Sequence, residues 1–190
     1  MKPAPVPQEE RYKLPPRAKV FCGFIYTPEL DLGEVLHVLE GAWGAVEFIS
    51  RRSSFDYTRY YDQEMGSALS RRFATFREMV EQDALPRLKW EAIRVEGNYR
   101  RSDGGRRVNI DPGILLPERL VLATTKACAH RPYLEQGIYA DLTLTYQKGS
   151  YQRLAWTYPD YAAPETLRMM NGLRNRYLLQ KRTTRKGWTE

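Results

Sequence analysis

The segment from Val20 to Tyr26 restricts the fold of this chain more than any other. Val20, Cys22, Phe24 and Tyr26 alternate with Phe21, Gly23 and Ile25, so both faces of an extended run are apolar. Successive side chains of a strand point to opposite faces, and a strand apolar on both needs cover on both. The segment is therefore read as a central strand, and Pro28 ends it because proline cannot donate to a strand ladder.

A helix is predicted next. Asp31 and Glu34 make an N-terminal cap and capping-box pair, Leu32, Val35, Leu36, Leu39 and Trp43 recur at helical spacing, and Gly41 or Gly44 closes the run. Ala45 to Ser50 reads as a second strand. Arg51 to Gly66 is a loop rich in aromatic and acidic residues, and Leu69, Arg71, Phe73 and Thr75 form one side of a third strand. Residues 82–96 are expected to be helical, with Leu85, Leu88, Ala92 and Val95 on one face and Pro86 in the first turn. After a turn at Gly97 to Gly105, four strands are predicted at Arg107–Asp111, Leu120–Thr125, Ile138–Gln147 and Tyr151–Thr157. Lys148-Gly149 makes a hairpin between the last two. A final helix starts near Pro164, burying Leu167, Met170, Leu173 and Tyr177 and turning Arg168, Arg174 and Arg176 elsewhere.

This order has too few helices for a doubly wound parallel sheet. It predicts an α+β fold, a mostly antiparallel sheet of about six to seven strands with three helices packed mainly on one face. A ferredoxin-like element extended by extra strands fits, and a half-barrel is the competing arrangement. At 190 residues the chain makes one domain of usual size. Residues 1–17 hold five prolines and few apolar side chains and are expected to be a flexible arm, residues 18–182 the single domain, and residues 183–190 a basic tail.

The net charge of +7 is unevenly placed. Residues 1–20 carry five Lys or Arg against two Glu, residues 162–190 seven against two, and the stretch between is close to neutral. A continuous basic groove on the body is not predicted, and contact with RNA or another polyanion would fall to the basic ends. The longest apolar stretches are too short to span a bilayer, and the first residues show no signal-peptide segment, so a cytoplasmic protein without membrane association is expected. Cys22 and Cys128 are read as buried free thiols.

The phosphate loop Gly-x-x-x-x-Gly-Lys-Ser/Thr, the Gly-x-Gly-x-x-Gly turn and zinc-ligand spacing of Cys or His are all missing from the sequence. With only His37 and His130, a metal site would rest on carboxylates, and none is assigned. Chemistry-bearing residues instead gather between Val108 and Tyr161. Asn109 and Asp111 point the same way off a strand whose Val108 and Ile110 point inward, and Pro112-Gly113 is expected to turn the chain at once. Their heads stand about 7 Å apart, fit to hold a ligand. The same Asp fits the plainer task of capping its own Pro-Gly turn.

Lys126, His130 and Arg131 lie in or beside a loop between two strands, where cationic side chains converge on an anion such as phosphate or carboxylate. His130 is also a candidate acid or base, because imidazole titrates near neutral pH. Asp141, on the exposed phase of its strand, either joins this group or makes a cross-strand ion pair with Lys126. Phe55, Tyr57, Tyr60, Tyr61, Trp156, Tyr158 and Tyr161 either stack on a ligand ring or seal the ends of the sheet. Asp56 and Glu64 are the carboxylates best placed to join from the early loop.

Several of these runs, taken in order, resemble the bacterial domain of unknown function 4416 family. They are Arg107-Val108-Asn109-Ile110-Asp111-Pro112-Gly113, Leu122-Ala123-Thr124-Thr125-Lys126, His130-Arg131 with Tyr133-Leu134, Gly137-Ile138-Tyr139-Ala140-Asp141, and Trp156-Thr157-Tyr158-Pro159-Asp160-Tyr161. Phe55-Asp56-Tyr57-Thr58 and Tyr60 to Gly66 match its earlier motif, and the likeness covers roughly residues 17 to 180. The family has no established activity, and a GTP-binding label on some members implies a nucleotide-like ligand at most, since no phosphate loop is present. Ile114 stands where the family often has an aromatic residue and Pro132 where it has an aliphatic one.

The expectation is a small-ligand site for an anionic, phosphate- or nucleotide-like compound. Lys126 and Arg131 contact the anion, Asn109, Asp141 and Glu64 fix polar parts, Tyr60 or Trp156 covers the ligand, and His130 or Asp111 accepts a proton if a reaction follows. The alternative is a non-enzymatic RNA- or protein-binding module that uses the basic ends. A third reading makes the polar set into turn caps and ion pairs. The sequence carries no signal for a cofactor or an oligomeric state.

Overall fold

The computed structural model describes residues 14–186, with side chains to residue 182. Its strands are β1 (Ala18–Tyr26), β2 (Val46–Ile49), β3 (Ser53–Ser54), β4 (Ser70–Val80), β5 (Val108–Leu116), β6 (Arg119–Thr124), β7 (Tyr133–Glu135), β8 (Ile138–Gln147) and β9 (Ser150–Arg153). They form one antiparallel sheet in the order β2-β4-β1-β5-β6-β8-β7, with β3 on β4 and β9 on β8. Helices are α1 (Leu32–Trp43), α2 (Asp62–Met65), α3 (Leu85–Asn98), α4 (Pro159–Ala162) and α5 (Pro164–Lys186). The fold is α+β, and the sheet exceeds the expected count through the short strands β3 and β7. The run β2-β4-β1-β5 interleaves two β-α-β units, β1-α1-β2 and β4-α3-β5, which is the arrangement of a ferredoxin-like element. Residues 1–13 of the expected arm lie outside the described residues, and α5 runs to Lys186, into the stretch expected to be tail.

All nine residues of β1 are buried, between β4 and β5. One face joins Val20, Cys22, Phe24 and Ile110 to Val35 and Leu39 of α1 and Leu88 and Ala92 of α3. The other joins Phe21, Phe73, Leu115 and Leu122 to Tyr161 of α4 and Met170 and Leu173 of α5. The expectation that the helices pack mainly on one face is thus corrected. A central strand apolar on both faces needs two covers, and α5 supplies the second.

Local signals act as expected elsewhere. Asp31 caps α1, its Oδ1 accepting from the Gly33 N–H at 2.8 Å. Lys148 and Gly149 both take positive φ, 50° and 83°, which suits the two-residue turn between β8 and β9.

Pro112-Gly113 does not turn the chain. β5 continues through it to Leu116, and the reversal falls between Leu116 and Arg119. The reason lies in the neighbouring strand: β6 pairs with β5 only from Gly113 onward, so on that side Pro112 has no ladder to break. Gly113 serves close approach, since a Cβ there would meet the Val121 carbonyl oxygen at 2.7 Å. Residues 108–112 therefore have β1 on one side and no strand on the other. Helix α3 takes the missing strand's place. Glu96 Oε1 accepts the Ile110 N–H at 2.7 Å and Lys89 Nζ donates to the Ile110 carbonyl at 2.8 Å, from positions two helical turns apart. A buried strand edge is satisfied this way without closing the sheet, and the gap holds a cavity.

Candidate functional site

The cavity has a volume of about 490 Å³. Strands β1, β4 and β5 present Ile25, Arg71, Asn109 and Asp111 to it, α3 presents Lys89, Ile93 and Glu96, and β6 with its following loop presents Thr124 and Lys126. Asp141 of β8 reaches it, and aromatic rings from residues 55–61 and 158–161 complete the lining.

One cluster centres on Arg106. Its Nε and Nη2 donate to the two carboxylate oxygens of Glu64 at 2.7 and 2.8 Å, and its Nη1 reaches Asn109 Oδ1 at 2.7 Å and Glu96 Oε2 at 3.2 Å. Asn109 Nδ2 passes the chain on to Asp111 Oδ2 at 2.8 Å, and Lys89 Nζ stands 3.3 Å from Asp111 Oδ1. The hydrogen bonds from Arg106 hold the Glu64 carboxyl below the usual carboxylate range. Burial pushes Glu96 up, and the charge of Lys89 opposes it. Every member has its partners, so Asp111 is held from both oxygens with 28% of its side chain still open.

A second cluster centres on Arg71, whose side chain is 3% exposed. Its guanidinium carbon sits 4.4 Å from the Phe73 ring centre, 4.9 Å from that of Tyr161 and 5.8 Å from that of Phe55. Nη2 lies 2.8 Å from Asp160 Oδ2, but poorly directed, and none of the three guanidinium nitrogens makes a well-formed hydrogen bond among the described residues. Burial pushes the Asp160 carboxyl up against the opposing charge of Arg71. Burial likewise pushes the Tyr161 hydroxyl up. Gly23 makes room for this group: a Cβ there would lie 2.5 Å from the Tyr161 hydroxyl and 2.9 Å from Arg71 Nη2.

At the rim, Arg131 donates from Nε to Asp141 Oδ2 at 2.8 Å, from Nη2 to the Tyr158 hydroxyl at 2.7 Å and from Nη1 to the Lys126 carbonyl at 3.2 Å. Lys126 Nζ lies 3.9 Å above the Tyr60 ring. His130 is stacked on Trp156 with centroids 4.8 Å apart, its Nε2 3.9 Å from Asp141 Oδ2 and its Nδ1 3.4 Å from Cys128 Sγ. Trp156 Nε1 donates to the Leu142 carbonyl at 2.8 Å.

Asn109, Asp111, Lys126, Asp141 and Tyr60 thus line one cavity. Glu64 and Arg131 stand behind it, bonded to lining residues, whereas His130 and Trp156 are outside the lining. Two expectations are corrected. Asp141 is buried rather than on an exposed phase, facing Leu122 across the strands and pairing with Arg131 instead of Lys126. Cys128 is exposed, while Cys22 is buried, and both are free.

Sequence reasoning did not single out Arg71, Lys89, Glu96, Arg106 or Asp160. Arg71 did carry a signal, since it shares its phase of the strand with Leu69 and Phe73, both buried. Lys89 and Glu96 were legible too, one beside each end of the apolar stripe of α3. Basic residues of α5 rest on the domain itself: Arg174 donates to the Pro117 carbonyl at 2.7 Å and stacks over Tyr146, and Arg176 lies over Phe48. No helix among the described residues is long and apolar enough to cross a membrane, and no group of three or more His, Cys, Asp or Glu among them is arranged to hold a metal ion.

Fold and site together define an α+β domain whose antiparallel sheet opens into a cavity of mixed charge with aromatic residues at its rim. The chain belongs to the family described as Domain of unknown function (DUF4416), whose pattern matches residues 16–177. No curated protein and no solved structure matches it.

Proposed function

We propose that the cavity binds a small molecule through an anionic group of phosphate or carboxylate type, with Arg71 as the principal contact and Lys126 as the second. The observation that carries this reading is the state of Arg71: a buried guanidinium without a well-formed hydrogen bond. Burying a charge is costly unless it is paired and hydrogen-bonded, and each buried donor left unmade costs about 1–3 kcal/mol. The nitrogens are closed off by the surrounding rings in this structure, and a ligand offering two acceptor oxygens to the planar fork would satisfy those donors once the Phe55 and Tyr161 rings shift to admit it. The volume of about 490 Å³ suits a ligand of metabolite size.

Asp111, fixed by Asn109 and Lys89 and still open to the cavity, holds a polar part of the ligand and is the proton acceptor if the bound compound reacts. His130 lies outside the lining, so in this reading its part is to stand by Asp141 at the rim. Thermal unfolding across a panel of nucleotides and sugar phosphates tests the reading. At least one compound should raise the midpoint of the wild-type chain, Arg71→Met should abolish the shift, and Lys126→Ala should reduce it. A shift that survives Arg71→Met contradicts the assignment. Binding of RNA that weakens steeply with salt, ignores Arg71→Met and is lost on removing residues 180–190 would support the module that uses its basic ends.

A further inference from the structure

Resting on that reading, we infer that the ligand is a flat ring joined to one compact anion, a single phosphate or carboxylate, and that the cavity discriminates against polyphosphates. The cations of the lining, Arg71, Lys89, Arg106 and Lys126, are matched by as many carboxylates, Glu96, Asp111, Asp141 and Asp160. Three of the cations already have carboxylate partners: Lys89 has Asp111, Arg106 has Glu64 and Glu96, and Arg71 has Asp160, less well directed. Arg71 keeps undirected N–H groups, and Lys126 rests on a ring rather than on an acid. Arg71, whose N–H groups are undirected, and Lys126 are the cations left to face one phosphate, whose charge is about −1.5 to −2.

Further phosphates would find no free cation in the lining and would meet Asp111 and Asp160, which already repel each other. The ring belongs toward the rim, where Tyr57, Tyr60 and Tyr158 remain exposed around the opening. Rings of this kind stack on any flat π-face.

Calorimetric titration in magnesium-free buffer with phosphate, pyrophosphate, tripolyphosphate, phenyl phosphate and benzoate tests this. Phenyl phosphate should bind about tenfold more tightly than phosphate, the worth of one stacked ring. Affinity should fall about tenfold from phosphate to tripolyphosphate as unmatched charge accumulates. Benzoate against phenyl phosphate decides which head is preferred. Arg71→Met should abolish phenyl phosphate binding, and if that variant does not fold, Lys126→Ala, on the exposed rim, should weaken it about tenfold. Affinity that rises with phosphate number, or equal affinity for phosphate and phenyl phosphate, overturns this inference but leaves an anion site standing. No binding by any probe overturns the underlying reading as well.

Discussion

Two charged clusters flank the same cavity and are built on opposite terms. Around Arg106, each carboxylate, amide and guanidinium has a well-formed partner, and the chain from Glu64 to Lys89 braces the open side of β5. Around Arg71, a guanidinium is more deeply buried, yet is held mainly by aromatic faces and a poorly directed carboxylate. The contrast separates polar groups that hold the fold from polar groups kept for something else. A fully satisfied buried network rigidifies, whereas an unsatisfied buried group calls for an explanation.

The largest effect that could break this contrast comes from Arg106→Ala, which leaves Glu96 buried without its guanidinium. It should cost about 3 kcal/mol and lower the melting temperature by roughly 10 °C in calorimetry. Arg71→Met should cost less in the same measurement, about 1–2 kcal/mol, because it removes one poorly directed ion pair with Asp160 where Arg106→Ala removes four well-formed hydrogen bonds, and the Met side chain fills the space among the rings. Equal losses in the two variants would erase the distinction.

Titration sharpens it within the first cluster. Glu64 is held below the usual carboxylate value of 4.5, so its stabilising effect is present above that pH and is lost as pH falls through the lowered value. Glu96 is pushed above 4.5, so its charge costs stability at neutral pH and the cost is relieved as pH falls through the raised value. Urea midpoints measured from pH 7 to pH 3 should show the gap between wild type and Glu64→Gln closing with falling pH. The gap between wild type and Glu96→Gln should move in wild type's favour. The smallest effect concerns the thiols. Exposed Cys128 should react with a disulfide reagent in the native state, while Cys22, buried and with its thiol pushed up by burial, should react only on unfolding. Two fast thiols would show that the core near Asp111 opens readily.

Much of the fold was legible because its signals are local. The two-faced apolar strand, the Asp31 cap, the Lys148-Gly149 turn and the buried stripe through Met170 and Leu173 each depend on neighbours a few residues away. The ordered motifs were legible as well, and the family they resemble is the one to which the chain belongs. What failed depended on distant partners. Pro112-Gly113 looks like a turn until one sees that β6 leaves that side open, and Asp141 looks exposed until Arg131 folds against it. Arg71 was visible as an oddity in an apolar phase. Its setting, however, is made by Asp160 and Tyr161, which come from a helix far along the chain.

Crystals soaked in selenate, a phosphate-shaped anion located by its anomalous scattering, test the central claim most directly. The account predicts a peak in the cavity within hydrogen-bonding distance of the Arg71 guanidinium, and none in crystals of Arg71→Met. An anion seated on Arg106 or on the surface alone, with Arg71 bonded only to ordered water, would contradict it.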